Sequence, residues 1–311
     1  MDPRQSLIQD LDPIPSRVEF SQRPIVLLCG GHVPQKGHPD LQDPPIRSIR
    51  QRIVKSFPEY EIFRPEEIDN WHADGVFKNL IDFESDLASI CSLVVIILES
   101  EGAIAELGAF SQLPDFNKKL VVIVSEGHAD DISFINLGIL RHLRGTHESA
   151  VKRYPWDVKR PADAEDQTIS DIIDDVKLEL DGLQKSQALK VTSEAHLIII
   201  IYELTRLFVA LREAEIIEAM KFLGCEIRRD NLRRKLFLLE RLGFVKKIAY
   251  SDSGFYAAIN PNFHNVRFAL KSKSALNPTR IRLDTLRYYK ETKEERNRVR
   301  AIERARIGEG V

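Results

Sequence analysis

The sequence predicts two folds in series: an α/β, flavodoxin-like parallel-sheet domain, then an α+β winged helix-turn-helix domain. Three observations predict them. Short, wholly apolar runs alternate with helical patterns between residues 24 and 155. From Glu194 the pattern changes to three successive helices and a hairpin. The formal charge of −2 is also unevenly spread: residues 194–311 hold 24 Lys+Arg against 15 Asp+Glu, and residues 1–193 hold 21 against 32. Apolar strands covered on both faces are the mark of parallel βαβ units. An acidic front and a basic rear place contact with a polyanion such as nucleic acid at the rear, or else make the two halves attract each other or pack in an oligomer.

A chain of 311 residues has room for two domains. No apolar run approaches the ~20 residues of a membrane span. The N-terminus MDPRQSLIQDLDPIPSR lacks a basic-then-apolar signal pattern, so a cytoplasmic location without membrane contact is expected. Cys29, Cys91 and Cys225 lie far apart in apolar surroundings, without metal-ligand or disulfide spacing. Reduced core cysteines and no metal site are expected, with Cys29 set apart by the glycine pair beside it.

In chain order, residues 1–23 read as a Pro-rich polar arm that docks on a neighbour. Pro24 to Cys29 is a buried strand ending at Gly30-Gly31, where glycine lets a ligand or a backbone come close. Residues 32–45 form a loop with His32 and His38, read as exposed. A helix follows over about Pro45–Phe57, with Ile46, Ile49, Ile53 and Val54 at helical spacing. Tyr60–Phe63 is a second strand and about Val76–Ala88 a helix carrying Asp82, Glu84 and Asp86. Leu93–Leu98 is a third strand, followed by a helix over 103–113, and Leu120–Val124 is a fourth. Residues 131–144 form a helix or broken helix, and Ala150–Tyr154 a short fifth strand. A connecting helix within 156–193 carries Ile169, Ile172, Ile173 and Val176. In the flavodoxin-like order the first and third strands are neighbours at the switch point. Gly30 and Gly31 then face Glu99 and Ser100 across one crevice.

Residues 194–270 contain helices over 195–211, 213–223 and 229–242, then a hairpin from Phe244 to Ile259 turning at Ser251–Gly254. In a winged helix-turn-helix the third helix faces the major groove. Arg228, Arg229, Arg233, Arg234 and Lys235, with Lys246 and Lys247 near the wing, are candidates for phosphate contact. A module that binds only protein, with these cations merely solvated, is the alternative. The tail, 271–311, is basic and helical in pattern, too charged to fold alone, and expected to order on a nucleic acid or a partner chain.

No phosphate-binding loop, dinucleotide fingerprint, HExxH or nucleophile elbow is present. What remains is a set of carboxylates near strand ends, above all Glu106 in the stretch LVVIILESEGAIAELGAF. Such carboxylates suit cleavage of a C1–N glycosidic bond, which passes through an oxocarbenium-like sugar. Read in the first turn of its helix, Glu106 has its pKa lowered by the helix dipole and stays ionised. The same placement suits a glutamate that merely stabilises a helix start.

The segment ES-x-G-x-x-x-E-L-G-A-F resembles the nucleoside 2-deoxyribosyltransferase family. Together, LLCGG at 27–31, ILESEGAIAELGAF at 97–110 and SFINLGILRHLR at 133–144 resemble retron-associated effectors built on that fold with a C-terminal winged helix. The resemblance implies a catalytic role for Glu106 and substrate contacts by Cys29, Gly30, Gly31, Glu84, Glu99, Ser100 and Gly102. Ala103 stands where the transferases carry a small hydroxyl residue, so the resemblance implies N-glycosidic cleavage rather than deoxyribosyl transfer. It implies a toxic anti-phage effector that hydrolyses NAD, as substrate rather than cofactor, with free nucleosides or nucleotides as the other candidates, under control of a retron reverse transcriptase and its multicopy single-stranded DNA (msDNA). A homo-oligomer or larger assembly is expected. The alternatives are a nucleotide-sensing winged-helix transcriptional regulator without turnover and a structural adaptor with an inactive crevice.

Overall fold

The computed structural model describes residues 2–34, 45–56, 61–68, 75–113, 116, 119–129 and 132–307. Two compact units divide the chain: Arg23–Ala73 with Asn79–Leu183, and Met1–Gln22 with Asp74–Lys78 and Gln184–Val311. Helix α1 (Pro3–Asp10) and strand β1 (Leu11–Glu19) open the chain and belong to the second of these.

The first unit contains β2 (Ile25–Cys29), α2 (Ile49–Ser56), β3 (Glu61–Phe63), α3 (Leu80–Ile90), β4 (Leu93–Ile97), α4 (Glu101–Phe110), β5 (Leu120–Ser125) and α5 (Glu126–Ala129). A π-helical turn (Ile135–Leu140), α6 (Arg141–Thr146), β6 (Val151–Tyr154) and α7 (Asp166–Gly182) complete it. The five strands pair in the order β3-β2-β4-β5-β6, all parallel. This is the flavodoxin-like order, and it sets β2 beside β4 as the apolar runs predict. Strand residues Val26, Leu28, Val95 and Ile123 share one buried cluster with Ile169, Ile172, Ile173 and Val176 of α7.

Helix starts shift where a side chain caps them. Ser48 Oγ accepts from Gln51 N at 2.9 Å, so α2 begins at Ile49 and not near Pro45. Asn79 accepts from Asp82 N at 2.8 Å and delays α3 to Leu80. Ser100 accepts from Ala103 N at 3.2 Å and starts α4 at Glu101. His38, Tyr60 and Asp131, which the sequence places in a loop, a strand and a helix, lie outside the described residues.

The second unit continues with β7 (Ser186–Ala188), α8 (Glu194–Leu207), α9 (Glu213–Phe222), α10 (Arg229–Arg241), β8 (Val245–Tyr250), β9 (Ser253–Ala258), β10 (Asn265–Leu270), α11 (Pro278–Glu291) and α12 (Arg296–Ile307). Three helices followed by the antiparallel β8-β9 hairpin is the expected succession. Two expectations are corrected. Residues 1–23 are not a free arm: β1 is the middle strand of an antiparallel sheet ordered β10-β1-β7. Its register shifts between Asp12 and Arg17, across Pro13 and Pro15, which lack the N–H a ladder needs. The tail is folded as well. Tyr289, Ala301, Ile302 and Ala305 bury against Ile248, Phe255 and Ala257 of the hairpin. Among the described residues no helix is long and apolar enough to cross a membrane.

Candidate active site

Glu99, just beyond β4, ties the sheet edge to the glycine turn after β2. Its Oε1 accepts from Gly31 N at 3.1 Å and Arg50 N at 3.0 Å, and its Oε2 from Ile49 N at 2.7 Å. The carboxylate therefore sits on the N-terminus of α2, the place where a helix in this topology offers its amides to an anion. Burial raises the Glu99 pKa, against the pull of those three amides and the Arg50 charge. A Cβ on Gly31 would lie 2.7 Å from Ser48 Cβ and 3.1 Å from Glu99, and one on Gly30 would lie 3.2 Å from Arg50 and Glu99. The glycines thus admit the close approach of Glu99 and α2, the backbone alternative that the sequence offers for this pair. Glu99→Gln should lower stability by about 1–3 kcal/mol, because an amide NH₂ then faces buried backbone donors. A denaturant titration that finds under about 0.5 kcal/mol would rule this capping role out.

Glu106 lies in the second turn of α4, since the Ser100 cap starts the helix at Glu101. The helix-end field fades within the first turn, and burial dominates instead. The Glu106 carboxyl is pushed up to about 7, against the pull of the Arg50 charge and the Cys29 thiol. Buried Glu84 on α3 also rises to about 7, through burial first and the Glu106 charge second. This overturns the expected lowering of the Glu106 pKa. The Glu106 charge thus raises Glu84, and a charge on Glu66 raises both. Oε2 of Glu106 is buried without a hydrogen-bond partner among the described residues. Arg50, only 5% exposed, draws down all of Cys29, Glu84, Glu99 and Glu106, and pairs with Glu66 at 2.9 Å.

The structure brings Cys29, Gly30, Gly31, Glu84, Glu99, Ser100 and Glu106 to one place. Cys29 is fully buried, and burial pushes its thiol well up, so it stays protonated in the wall formed by the strand ends. Ser100 Oγ donates to Gly30 O at 3.2 Å and bridges the two strand ends. Gly102 stands apart: it is exposed, and a Cβ there meets nothing nearer than Ser100 Oγ at 3.9 Å. Sequence reasoning passed over Arg50 and Glu66. Arg50 left a signal, a cation beside Ile49 and Ile53 on the buried stripe of its helix. A cleft of about 590 Å³ opens on the β5 side of the same wall, with Leu98, Ile104 and Val158 as apolar lining and Ser100, Ser133 and Asn136 as polar lining.

The expected nucleic-acid residues fare unevenly. Lys235 is fully buried, with its ammonium 2.6 Å from Glu194, so it is no surface cation. Arg229 and Arg233 are exposed but both engage Glu213, at 3.0 and 3.2 Å. Arg234 lies over the Phe77 ring at 5.8 Å. Arg228, Lys246 and Lys247 are exposed on the α10 N-cap and on β8.

Fold and site together define a two-part protein: a flavodoxin-like α/β unit with buried carboxylates at its switch point, joined in one chain to a helix-and-hairpin unit. The chain belongs to the STM3845 retron effector protein family, whose model matches residues 46–247. Two relatives from Escherichia coli are each provisionally named a ribosyltransferase/DNA-binding protein. The one from retron Ec86 is 32% identical over 129 residues, 41% of this chain and 40% of the relative. The one from retron Ec73 is 28% identical over 119 residues, 37% of this chain and 36% of the relative. The matched stretch thus spans about two fifths of either relative.

Proposed function

We propose that this retron effector is a toxic anti-phage N-glycosidase whose substrate is NAD, cleaved to nicotinamide and ADP-ribose. The observation that carries the reading is half-buried Glu106 beside buried Glu84, held with Arg50 at the switch point. Family membership and the ribosyltransferase wording in the relatives' names support the same chemistry. The C1–N bond breaks, its electron pair returns to the pyridinium nitrogen, and nicotinamide leaves neutral. The Glu106 carboxylate stabilises the ribosyl cation left behind, water adds to C1, and the proton released passes to the carboxylate pair and then to solvent. The positive pyridinium also favours the ionised form of Glu106 on binding, which offsets the upward push of burial.

In this reading the second unit holds the retron reverse transcriptase with its msDNA in a larger assembly that keeps the enzyme in check. Arg228, Lys246 and Lys247 are the surface cations suited to that contact, as the hairpin pair is solvent-facing. Replacing Lys246 and Lys247 together by Glu should weaken binding to msDNA and flatten the slope of log K against log salt by about one to two. An unchanged slope would move the nucleic-acid surface elsewhere. The direct test incubates the purified protein with NAD, with and without transcriptase and msDNA, and follows nicotinamide. Absence of release in every state, phage-triggered extracts included, ends the NAD reading.

A further inference from the structure

Glu99 and Ser100 form one wall. Glu99 accepts from the amide of Arg50, the cation that acts on Glu106 and Glu84, and both Glu99 and Ser100 line the 590 Å³ cleft. Ser100 also donates to Gly30 O at 3.2 Å. The far wall of the cleft is pre-built. Asn136 Nδ2 donates to His128 O at 2.8 Å, and Asn136 N donates to Ser133 Oγ at 3.2 Å, at the start of the π-helical turn. Such turns recur at ligand sites because they open a helix locally.

The lining has a definite chemical character. Leu98, Ile104, Ile135 and Val158 give an apolar interior, and Ile104 remains 41% exposed. Phe134, next to two lining residues, is 82% exposed. Two acids, Glu99 and Glu101, line the cleft, and no Lys or Arg does among the described residues. Apolar faces beside acids disfavour a phosphate and suit a neutral flat heterocycle carrying a sugar. The aliphatic faces pack against the ring, and a carboxylate accepts from ribose hydroxyls, as acids do in other nucleotide-binding α/β folds. The amides of α2, the other place for a phosphate, already hold Glu99.

We infer that the β4/β5 cleft binds an uncharged nucleoside unit, the second half of a dinucleotide substrate, with Ile104 against the base and Glu101 on the ribose. The role as a substrate subsite rests on the N-glycosidase reading; the binding itself does not. The site would then select dinucleotides over single nucleosides.

Adenosine is the probe for the binding test, by calorimetry on the full chain. Ile104→Asp, at a partly exposed position that tolerates the charge, removes the apolar face and should weaken adenosine binding about tenfold or more, while Glu106→Gln leaves it within about twofold. No heat with wild-type protein at millimolar adenosine, or equal binding by Ile104→Asp, overturns the inference. Where nicotinamide release is observed, Ile104→Asp should raise KM for NAD about tenfold and leave release from nicotinamide riboside within about twofold. Equal losses on both substrates overturn the subsite. If wild type releases nicotinamide from neither, the N-glycosidase reading falls and adenosine binding decides the cleft by itself.

Discussion

Glu106→Gln should abolish nicotinamide release, lowering kcat by about a thousandfold or more, and should stabilise the folded protein at alkaline pH. Both effects follow from one physical fact. The carboxyl is half-buried beside a second acid, with one oxygen lacking a hydrogen-bond partner among the described residues. A charge held that way is poorly solvated, so it has more to gain from a cationic transition state than a solvated carboxylate would. The glutamine is nearly isosteric and keeps the shape of the wall, but it brings no negative charge to the sugar.

The pH dependence has a fixed sign. Burial raises the Glu106 carboxyl from 4.5 to about 7, and Glu84 behaves alike. The native state therefore holds protons that the unfolded chain has lost. The contribution of these two acids to stability is highest below about pH 4.5, falls as pH rises toward 7, and stays low above it. Glu106→Gln removes a share of that penalty, at most about 3 kcal/mol at 1.36 kcal/mol per pKa unit and less if the pair relaxes together. Thermal unfolding at pH 8 should show the variant above wild type, and at pH 5 the two should converge. Activity runs the other way. The carboxylate form does the chemistry, so kcat/KM, which reports the free enzyme, should climb through an acid limb near pH 7. A variant no more stable than wild type at pH 8 would mean that Glu106 is solvated and a poor candidate for catalysis. A flat profile between pH 5 and 8 would remove the carboxylate from the rate-limiting step.

Much of this site was legible because its logic is local. An apolar run that stops at Glu99-Ser100 has to be a buried strand end, and parallel pairing with Ile25–Cys29 follows from alternation and handedness. The electrostatics were not legible, because they are set by what surrounds a residue. Placing Glu106 in a first helical turn gave a lowered pKa; the Ser100 cap moves the helix start by two residues and burial reverses the sign. Gly30-Gly31 has the form of a turn that something approaches closely, but the sequence does not name the neighbour: it is Glu99, 68 positions from Gly31 and in direct contact through Gly31 N. The same limit hid β1. Pro13 and Pro15 argue against an interior strand, and only the pairing of Arg17, Val18 and Glu19 with strands on both sides reveals one. The basic count of α10 misled for a related reason: composition does not distinguish Lys235, which is buried, from Lys246, which is exposed.

In the second unit, Arg298→Ala should cost about 3–5 kcal/mol, the largest stability loss expected from one substitution in that unit. Arg298 is fully buried on α12 and meets Glu215 at 2.5 Å, Glu295 at 2.7 Å and the carbonyl of Ala210 at 2.6 Å, with its guanidinium 4.6 Å from the centre of the Tyr289 ring. Arg4 on α1 enters the same network, 2.8 Å from Glu215. One cluster thus fastens α1, α9, α11 and α12 around the hairpin. Burial alone would raise the Glu215 carboxyl, but hydrogen bonding and charge from Arg298 bring it down to about 2. A lowered carboxyl stabilises the native state above its unfolded value of 4.5, and that contribution is lost as pH falls toward 2. Arg298→Ala removes the main partner, leaves Glu215 and Glu295 in low dielectric, and opens a cavity the size of the lost side chain. Its stability should therefore depend less on pH between 5 and 2 than that of wild type. Hydrogen exchange should accelerate first in α11, α12 and α1. Replacing Arg298 by Met together with Glu215 by Leu should recover part of the loss, because it removes one of the two stranded carboxylates and fills the cavity, while Glu295 keeps Arg4 at 3.4 Å. Chemical denaturation of the three proteins at pH 7 checks the order: wild type and the double variant above Arg298→Ala. A loss below about 1 kcal/mol for Arg298→Ala would mean that the network is loosely hydrated and that apolar packing of Tyr289, Ala301 and Ile302 alone holds the terminal helices in place.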